Sequence, residues 1–350
     1  MQKIKINGKI IGNGEPCYTI AEAGANHEGN LEKAFKLIDG AKEAKVDSIK
    51  FQTYKADKLC TKSAPKYWDD DIENETQYDV FSKLDTLSNS AWKELFDYAT
   101  NKNITCFSTP FDEESVDFLY SLDVPAFKIA SADITHIPLI RFVASKHLPI
   151  FISTGMASDE EIEDAINAIE DEGNHEIIIM HCITSYPTKP ENANLQMIKK
   201  LKTNFPEYVI GYSDHTIGID IPVFSTFYGS KVIEKHYTYD KKLSTSRDHW
   251  LSLDIPEFSE LVDNLKLTEI SKGDGSNLLN CEEEAVKYAR RSIVSTRKIP
   301  KGMIITKDMI AIKRPGLGIY PKFLEKVIGS SAKQDIQEDT PIQFDDINHF

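Results

Sequence analysis

The sequence predicts an α/β fold: a (β/α)8 TIM barrel with an N-terminal β-hairpin, followed by a small C-terminal β-rich domain. Short apolar runs recur along the chain, each followed by a stretch with helical spacing. Strand–helix alternation implies parallel strands. The runs number eight, and eight such units within ~250 residues fit a closed barrel. An open doubly wound sheet would show fewer strands and a glycine-rich first turn, and GxGxxG is missing.

The chain opens with KIKING and KIIG, two short alternating runs around Asn7-Gly8, a strong hairpin signal. The eight runs follow: CYTIAEAG (17–24), DSIKFQT (47–53), ITCFSTP (104–110), AFKIAS (126–131), PIFISTG (149–155), EIIIMHC (176–182), VIGYSD (209–214) and KVIEKH (231–236). Between them, residues 30–44 start at an Asn30 cap and place Leu31, Ala34, Phe35, Ile38 and Ala41 on one face. Ser90 is expected to cap a helix carrying Trp92, Leu95, Phe96 and Ala99. Ser158 and Glu161 form a capping box before Ile162, Ala165, Ile166 and Ile169. The connection 54–89 is long and contains KSAPKYWDDDIENETQYD, with Tyr67-Trp68 suited to a lid; a solvated excursion is the alternative. Composition turns polar near 272–290, and short β-type runs with many turn signals follow. The expected organisation is a barrel over 1–275, a linker over 276–291 and a separate domain over 292–350.

Composition narrows the function. The 350 residues are 41% hydrophobic and 27% charged, which excludes disorder and low complexity. A net charge of −14 argues against nucleic acid or an anionic membrane as partner. An anionic substrate would therefore need cations placed locally. No apolar run reaches the ~18 residues of a membrane span, and MQKIKING has no apolar signal core. Five scattered cysteines without CxxC fit a reducing cytoplasm better than a disulfide scaffold. The sequons at Asn74 and Asn103 then read as chance matches.

In a barrel, chemistry sits at the C-terminal strand ends. Those ends read Glu22; Lys50 and Gln52; Ser108 and Thr109; Lys128 and Ser131; Ser153 and Thr154; His181; Ser213 and His215; Glu234 and His236. His215 and His236 end neighbouring strands, so their imidazoles can converge on one divalent ion, with Glu22 across the closure as a ligand or holder of a metal water. Two histidines leave open positions for Lewis-acid work on a carbonyl. Lys50 and Lys128 lie inside apolar strands and need an anion. A protein carboxylate would serve, as would a phosphate caged by Thr109, Ser131, Ser153 and Ser213. Gln52, Asp133, Tyr186 and Asp248 lie just beyond strand ends, suited to a neutral polar partner.

IAEAGANHEGN, IKFQTYKADKL, FSTPFD, AFKIASADITHIPLI, ISTGM, HCITSYPT, GYSDHTIG and IEKHYT together resemble the sialic acid synthase family, N-acetylneuraminate synthase-like. The tail KIPKGMIITKDMIAIKRPGLGI resembles its C-terminal SAF, or antifreeze-like, domain. The resemblance spans essentially the whole chain. It implies a transferase that condenses phosphoenolpyruvate with N-acetylmannosamine and water to give N-acetylneuraminate and phosphate. It also implies a domain-swapped homodimer and a divalent ion, Mn²⁺ in many members. Carried over by motif, His215 and His236 become metal ligands, with Glu22 nearby. Lys50, Thr109, Lys128, Ser131, Ser153, Thr184 and Ser213 become the phosphoenolpyruvate site. Gln52, Asp133, Tyr186 and Asp248 become sugar contacts, joined by Arg314 from the partner subunit.

Some positions depart from the family pattern. Thr184 stands where some members have Asn, and Asp133 where some have Glu. STSRDHW (244–250) replaces the usual PGPDH and puts Arg247 beside Asp248. These bear on the sugar, so a legionaminate or pseudaminate synthase using a diacetamido-trideoxy hexose is the nearest alternative. Other rivals are an octulosonate or heptulosonate phosphate synthase, a non-catalytic polysaccharide-assembly scaffold and an ice-binding tail.

Overall fold

The computed structural model describes residues 3–68, 75–277 and 279–348. The chain divides into two compact units, Met1–Lys272 and Gly273–Phe350.

The first unit starts with a hairpin, β1 (Ile4–Ile6) and β2 (Lys9–Ile11), turned by Asn7 and Gly8. Both turn residues have positive φ, 43° and 86°, the conformation that matches strand twist in a two-residue turn. Eight parallel strands follow: β3 (Tyr18–Gly24), β4 (Ser48–Thr53), β5 (Thr105–Pro110), β6 (Phe127–Ile129), β7 (Ile150–Ser153), β8 (Ile177–Cys182), β9 (Val209–Asp214) and β10 (Val232–His236). They close into a barrel, β10 pairing with both β9 and β3. The expected fold is the one observed.

Strand parity makes two cores. Outward residues such as Ala21, Ile49, Ile152, Ile179 and Ile233 pack against the surrounding helices. Inward residues near the strand starts (Tyr18, Ile20, Phe107, Phe151, Ile178, Met180, Val209, Val232) pack with Ile4, Ile6 and Ile11 of the hairpin. The hairpin thus closes the N-terminal end of the barrel. Gly211 belongs to this inward row, where a Cβ would come within 2.3 Å of Met180 Sδ. Farther along the same inward faces the residues become polar: Glu22, Lys50, Thr109, Lys128, Ser153, Ser213 and Glu234. An apolar floor beneath a polar mouth is built by residues two apart on each strand.

Helix Leu31–Glu43 is capped by Asn30, and Asp159–Asp171 by the Ser158–Glu161 box, as expected. The cap of Asn89–Asn101 is Ser88, not Ser90; its hydroxyl accepts from Ala91 N at 3.2 Å. Ser90 lies inside the helix and bonds the Ser88 hydroxyl. Among its described residues, the long connection that leads from β4 to the helix Asn89–Asn101 carries helices Ala56–Leu59 and Gln77–Leu84. The run DDDIEN within it, with the Asn74 sequon, lies outside the described residues.

The second unit carries a short helix, Glu283–Tyr288, ahead of its strands. Two antiparallel pairs follow, β11 (Ser292–Ser295) with β12 (Ile310–Lys313) and β13 (Ser331–Ala332) with β14 (Ile347–Asn348). Ile293, Ile299, Ile319, Val327, Ile336 and Ile342 form its own core. Among the described residues, no helix is long and apolar enough to cross a membrane.

Candidate active site

The C-terminal strand ends surround a cavity of about 370 Å³. Strand register brings the charged groups together. Glu22 pairs with Lys50 across β3–β4, and Glu234 with Ser213 across β9–β10. Lys50 Nζ lies 2.7 Å from Glu22 Oε2 and donates to Thr109 Oγ1 at 2.9 Å. Lys128 Nζ lies 3.4 Å from Glu234 Oε1, which also accepts from Ser213 Oγ at 3.0 Å. Gln52 Nε2 donates to the other Glu22 oxygen at 2.9 Å. The two lysines thus have protein carboxylates as partners, the alternative weighed from sequence.

Burial and pairing compete at each of these groups. Burial alone would raise Glu234; Lys128, Lys50 and the Ser213 hydroxyl outweigh it and hold the carboxyl at about 2. Burial wins at Glu22, which titrates above the usual carboxylate range despite Lys50, with Glu234 adding to the rise. Burial also lowers Lys128, partly offset by Glu234.

Ser153 Oγ and Thr184 Oγ1 line the same cavity, are buried, and have no hydrogen-bond partner. Ser131 Oγ accepts from Gly155 N at 3.0 Å. Gly155 leaves room for this cluster, since a Cβ there would sit 2.5 Å from Thr184 Oγ1 and 2.8 Å from Ser131 Oγ. Buried hydroxyls left unsatisfied are costly, on the order of 1–3 kcal/mol each, unless something fills the space.

His215 and His236 face each other with ring centroids 5.3 Å apart. His215 Nδ1 donates to Ile183 O at 2.8 Å, which leaves Nε2 with its lone pair. Burial, with His215 and Lys50 nearby, holds His236 well below the usual histidine pKa, so its ring is neutral and able to ligate. His236 Nδ1 is buried without a hydrogen bond and lies 3.7 Å from Asp248 Oδ2. Cys182 Sγ is 3.9 Å from His215 Nδ1; burial opposes charge on both, yet their mutual attraction lowers the thiol and raises the imidazole. No group of three or more His, Cys, Asp or Glu side chains arranged to hold a metal occurs among the described residues. A divalent ion at this wall would have the two facing imidazoles of His215 and His236 as its protein ligands, and its other positions would fall to substrate oxygens and water.

Gln52, Asp133, Tyr186 and Asp248 all line the cavity. Burial, against a weaker pull from His136, raises Asp133 to about 6. Tyr186 packs on both histidines, at 4.1 and 6.0 Å between centroids. Tyr67 and Trp68 also reach the cavity, so this part of the long connection covers a pocket.

Three strand-end residues point elsewhere. His181 bonds Ala193 O at 2.9 Å and stacks on Tyr212 outside the barrel. Ser108 bonds Thr53, and Thr154 bonds Met180 O. Each is one residue out of phase with the inward row; on β8 the inward residue is Cys182. Arg314 belongs to the second unit, and the cavity lining lies in the first. Sequence reasoning gave Glu234 no role, although its place two residues before His236 on one strand puts both on the same face.

Comparison with known proteins bears on this geometry. Residues 37–277 match the NeuB family model and residues 290–348 the SAF domain model. The chain belongs to the NeuB family. Among NeuB relatives, the N,N′-diacetyllegionaminic acid synthase of Legionella pneumophila is 37% identical, covering 98% of each chain. The spore coat polysaccharide biosynthesis protein SpsE of Bacillus subtilis is 39% identical, covering 99% of this chain and 98% of its own. The crystal structure of the N-acetylneuraminic acid (sialic acid) synthetase of Leptospira borgpetersenii superposes with a TM-score of 0.73 at 34% identity, covering 81% of this chain and 95% of that one.

Proposed function

We propose that this NeuB-family chain is a metal-dependent synthase. It condenses phosphoenolpyruvate with the open-chain aldehyde of an N-acetylated mannosamine-type sugar, releasing a 2-keto sugar acid and phosphate. The observation that carries the reading is the pair of unpartnered buried hydroxyls, Ser153 Oγ and Thr184 Oγ1, in the cavity that holds Lys50 and Lys128. Hydroxyls and ammonium groups together suit phosphate and carboxylate oxygens.

A divalent ion held by His215 and His236, Mn²⁺ by family resemblance, supplies Lewis-acid polarisation of an aldehyde oxygen. Lys50 and Lys128 hold phosphoenolpyruvate as fixed charges, and Thr109, Ser131, Ser153, Thr184 and Ser213 orient it. Gln52, Asp133, Tyr186 and Asp248 align the sugar, and Arg314 of the partner subunit holds its N-acetyl group. The C2=C3 electron pair of phosphoenolpyruvate then bonds the aldehyde carbon, whose oxygen takes a proton from the Glu22 carboxyl. Water adds at C2 and returns a proton to Glu22. The C2–O bond to phosphate breaks, the proton of the remaining C2 hydroxyl leaves with the phosphate, and the 2-keto acid remains. The dimer and a cytoplasmic location belong to this proposal.

The test uses metal-stripped protein, phosphoenolpyruvate, Mn²⁺ and N-acetylated mannosamine-type sugars. Phosphate release is expected only with metal and sugar together. Release that ignores the sugar, or unchanged turnover by His215→Ala without metal, would contradict the proposal.

A further inference from the structure

Three polar residues beside the histidines lie outside the cavity lining. Asp214 and Thr216 flank His215, and Lys235 stands between Glu234 and His236. Side chains alternate along a strand. Glu234 and His236 line the cavity, so Lys235 is turned to the outer face of the wall. Asp214 shares that face, because register pairs it with Lys235 across β9–β10. The same face carries Ile210, Tyr212 and Ile233, part of the apolar layer beneath the helices. Within that layer Asp214 and Lys235 are each only 1% exposed.

Their contacts form one connected unit. Lys235 Nζ lies 2.5 Å from Asp214 Oδ2 and also donates to Thr216 O. Asp214 Oδ2 accepts from Thr216 Oγ1 at 2.9 Å, and Oδ1 accepts from Thr216 N at 3.0 Å and Tyr212 Oη at 2.8 Å. Tyr212 stacks on His181, the strand-end histidine that misses the cavity. The unit thus grips the chain on both sides of His215 and ties it to the residue before His236. Thr188 N adds a bond to His215 O at 2.8 Å, and Ile183 O takes the ring Nδ1–H. A buried ion pair stabilises a fold little better than apolar side chains of the same volume. Its contribution here is a fixed geometry between two strand ends, since parting the charges would strand each one in an apolar layer.

We infer that Asp214 and Lys235 are positioning residues that set the spacing and orientation of the His215 and His236 imidazoles from behind the barrel wall. Both act through the histidines and touch no substrate. The affinity of the cavity for a divalent ion then depends on a pair of charges on the opposite face of the strands. The inference rests on reading His215 and His236 as metal ligands, and it extends that reading to residues outside the cavity.

The test titrates Mn²⁺ into metal-stripped, full-length protein by calorimetry, with phosphoenolpyruvate affinity in the absence of metal and the denaturant midpoint measured beside it. Three variants are compared with wild type. Lys235→Met combined with Asp214→Asn removes both charges and strands neither. Tyr212→Phe removes one hydroxyl from Asp214. His215→Ala deletes a ligand. The double variant is expected to unfold cooperatively and to bind Mn²⁺ roughly 10–100-fold more weakly, the range typical of groups that hold a ligand in place. Its phosphoenolpyruvate affinity is expected to stay within about twofold of wild type, a split that general loosening of the barrel mouth would not give. Tyr212→Phe is expected to weaken Mn²⁺ by about 2–10-fold, the worth of one hydrogen bond. Unchanged Mn²⁺ affinity in the folded double variant, or equal losses for Mn²⁺ and phosphoenolpyruvate, would overturn the inference. If the double variant does not fold, wild-type Mn²⁺ affinity in Tyr212→Phe overturns it instead. Loss of Mn²⁺ binding in His215→Ala but not in the double variant removes this inference alone. Wild-type Mn²⁺ affinity in His215→Ala removes the metal reading and the inference with it.

Discussion

Lys128 and Glu234 sit 3.4 Å apart inside the barrel, and both side chains are buried. Truncating Lys128→Ala leaves Glu234 with Lys50 at 3.9 Å as its remaining ion pair. A stability loss of about 3–5 kcal/mol is expected from denaturant unfolding, with phosphate release down at least ~100-fold. Asp133 carries a second test. Its pKa is raised to about 6, so the folded protein holds this proton to higher pH than the unfolded chain does. Its contribution to stability therefore falls as pH rises from about 4 to 6 and is level above that. An ionised carboxylate is the better acceptor for sugar hydroxyls, so the sugar KM is expected to fall as pH rises through about 6. Asp133→Asn should flatten that profile in steady-state assays; an unchanged profile would remove Asp133 from sugar binding. At this scale the sequence singled out Lys50 and Lys128 because each interrupts an apolar strand, and His215 and His236 because they end neighbouring strands. It did not show that Glu22 and Glu234 pair with the lysines, because that depends on cross-strand register.

The strands were legible because each is a short apolar run, and the barrel because eight of them alternate with amphipathic stretches. His181 was misread as a site residue because a strand end was located without its phase; a one-residue shift turns a side chain to the other face. Ser90 was misplaced because Ser88-Asn89-Ser90 offers two capping hydroxyls within one turn. The hairpin gives an element-scale prediction. Ile6 is fully buried in the barrel floor, at the end opposite the cavity. Ile6→Ala is expected to cost about 2–4 kcal/mol in thermal or denaturant unfolding while leaving phosphoenolpyruvate affinity unchanged. A large loss of affinity would mean that floor and mouth are coupled.

For the whole molecule, the two units have separate cores, Ile293 and Ile319 in one and the barrel interior in the other. Deleting 292–350 is expected to leave a cooperatively folded barrel that binds phosphoenolpyruvate but releases no phosphate with sugar, since Arg314 is removed. Full turnover by the truncated protein would exclude Arg314 from the site. The two-part organisation was visible in sequence as a change from strand–helix rhythm to a polar stretch and then turn-rich runs. The full lining of the cavity was not visible, because it joins residues from distant segments of the chain. The most direct measurement of the central claim uses phosphoenolpyruvate labelled with ¹⁸O at the bridging C–O–P oxygen, with Mn²⁺ and the acceptor sugar. Sugar-dependent phosphate that carries the label is expected, because water attacks C2 and the C–O bond breaks. Unlabelled phosphate, or labelled phosphate formed equally without sugar, would contradict the condensation assigned to this cavity.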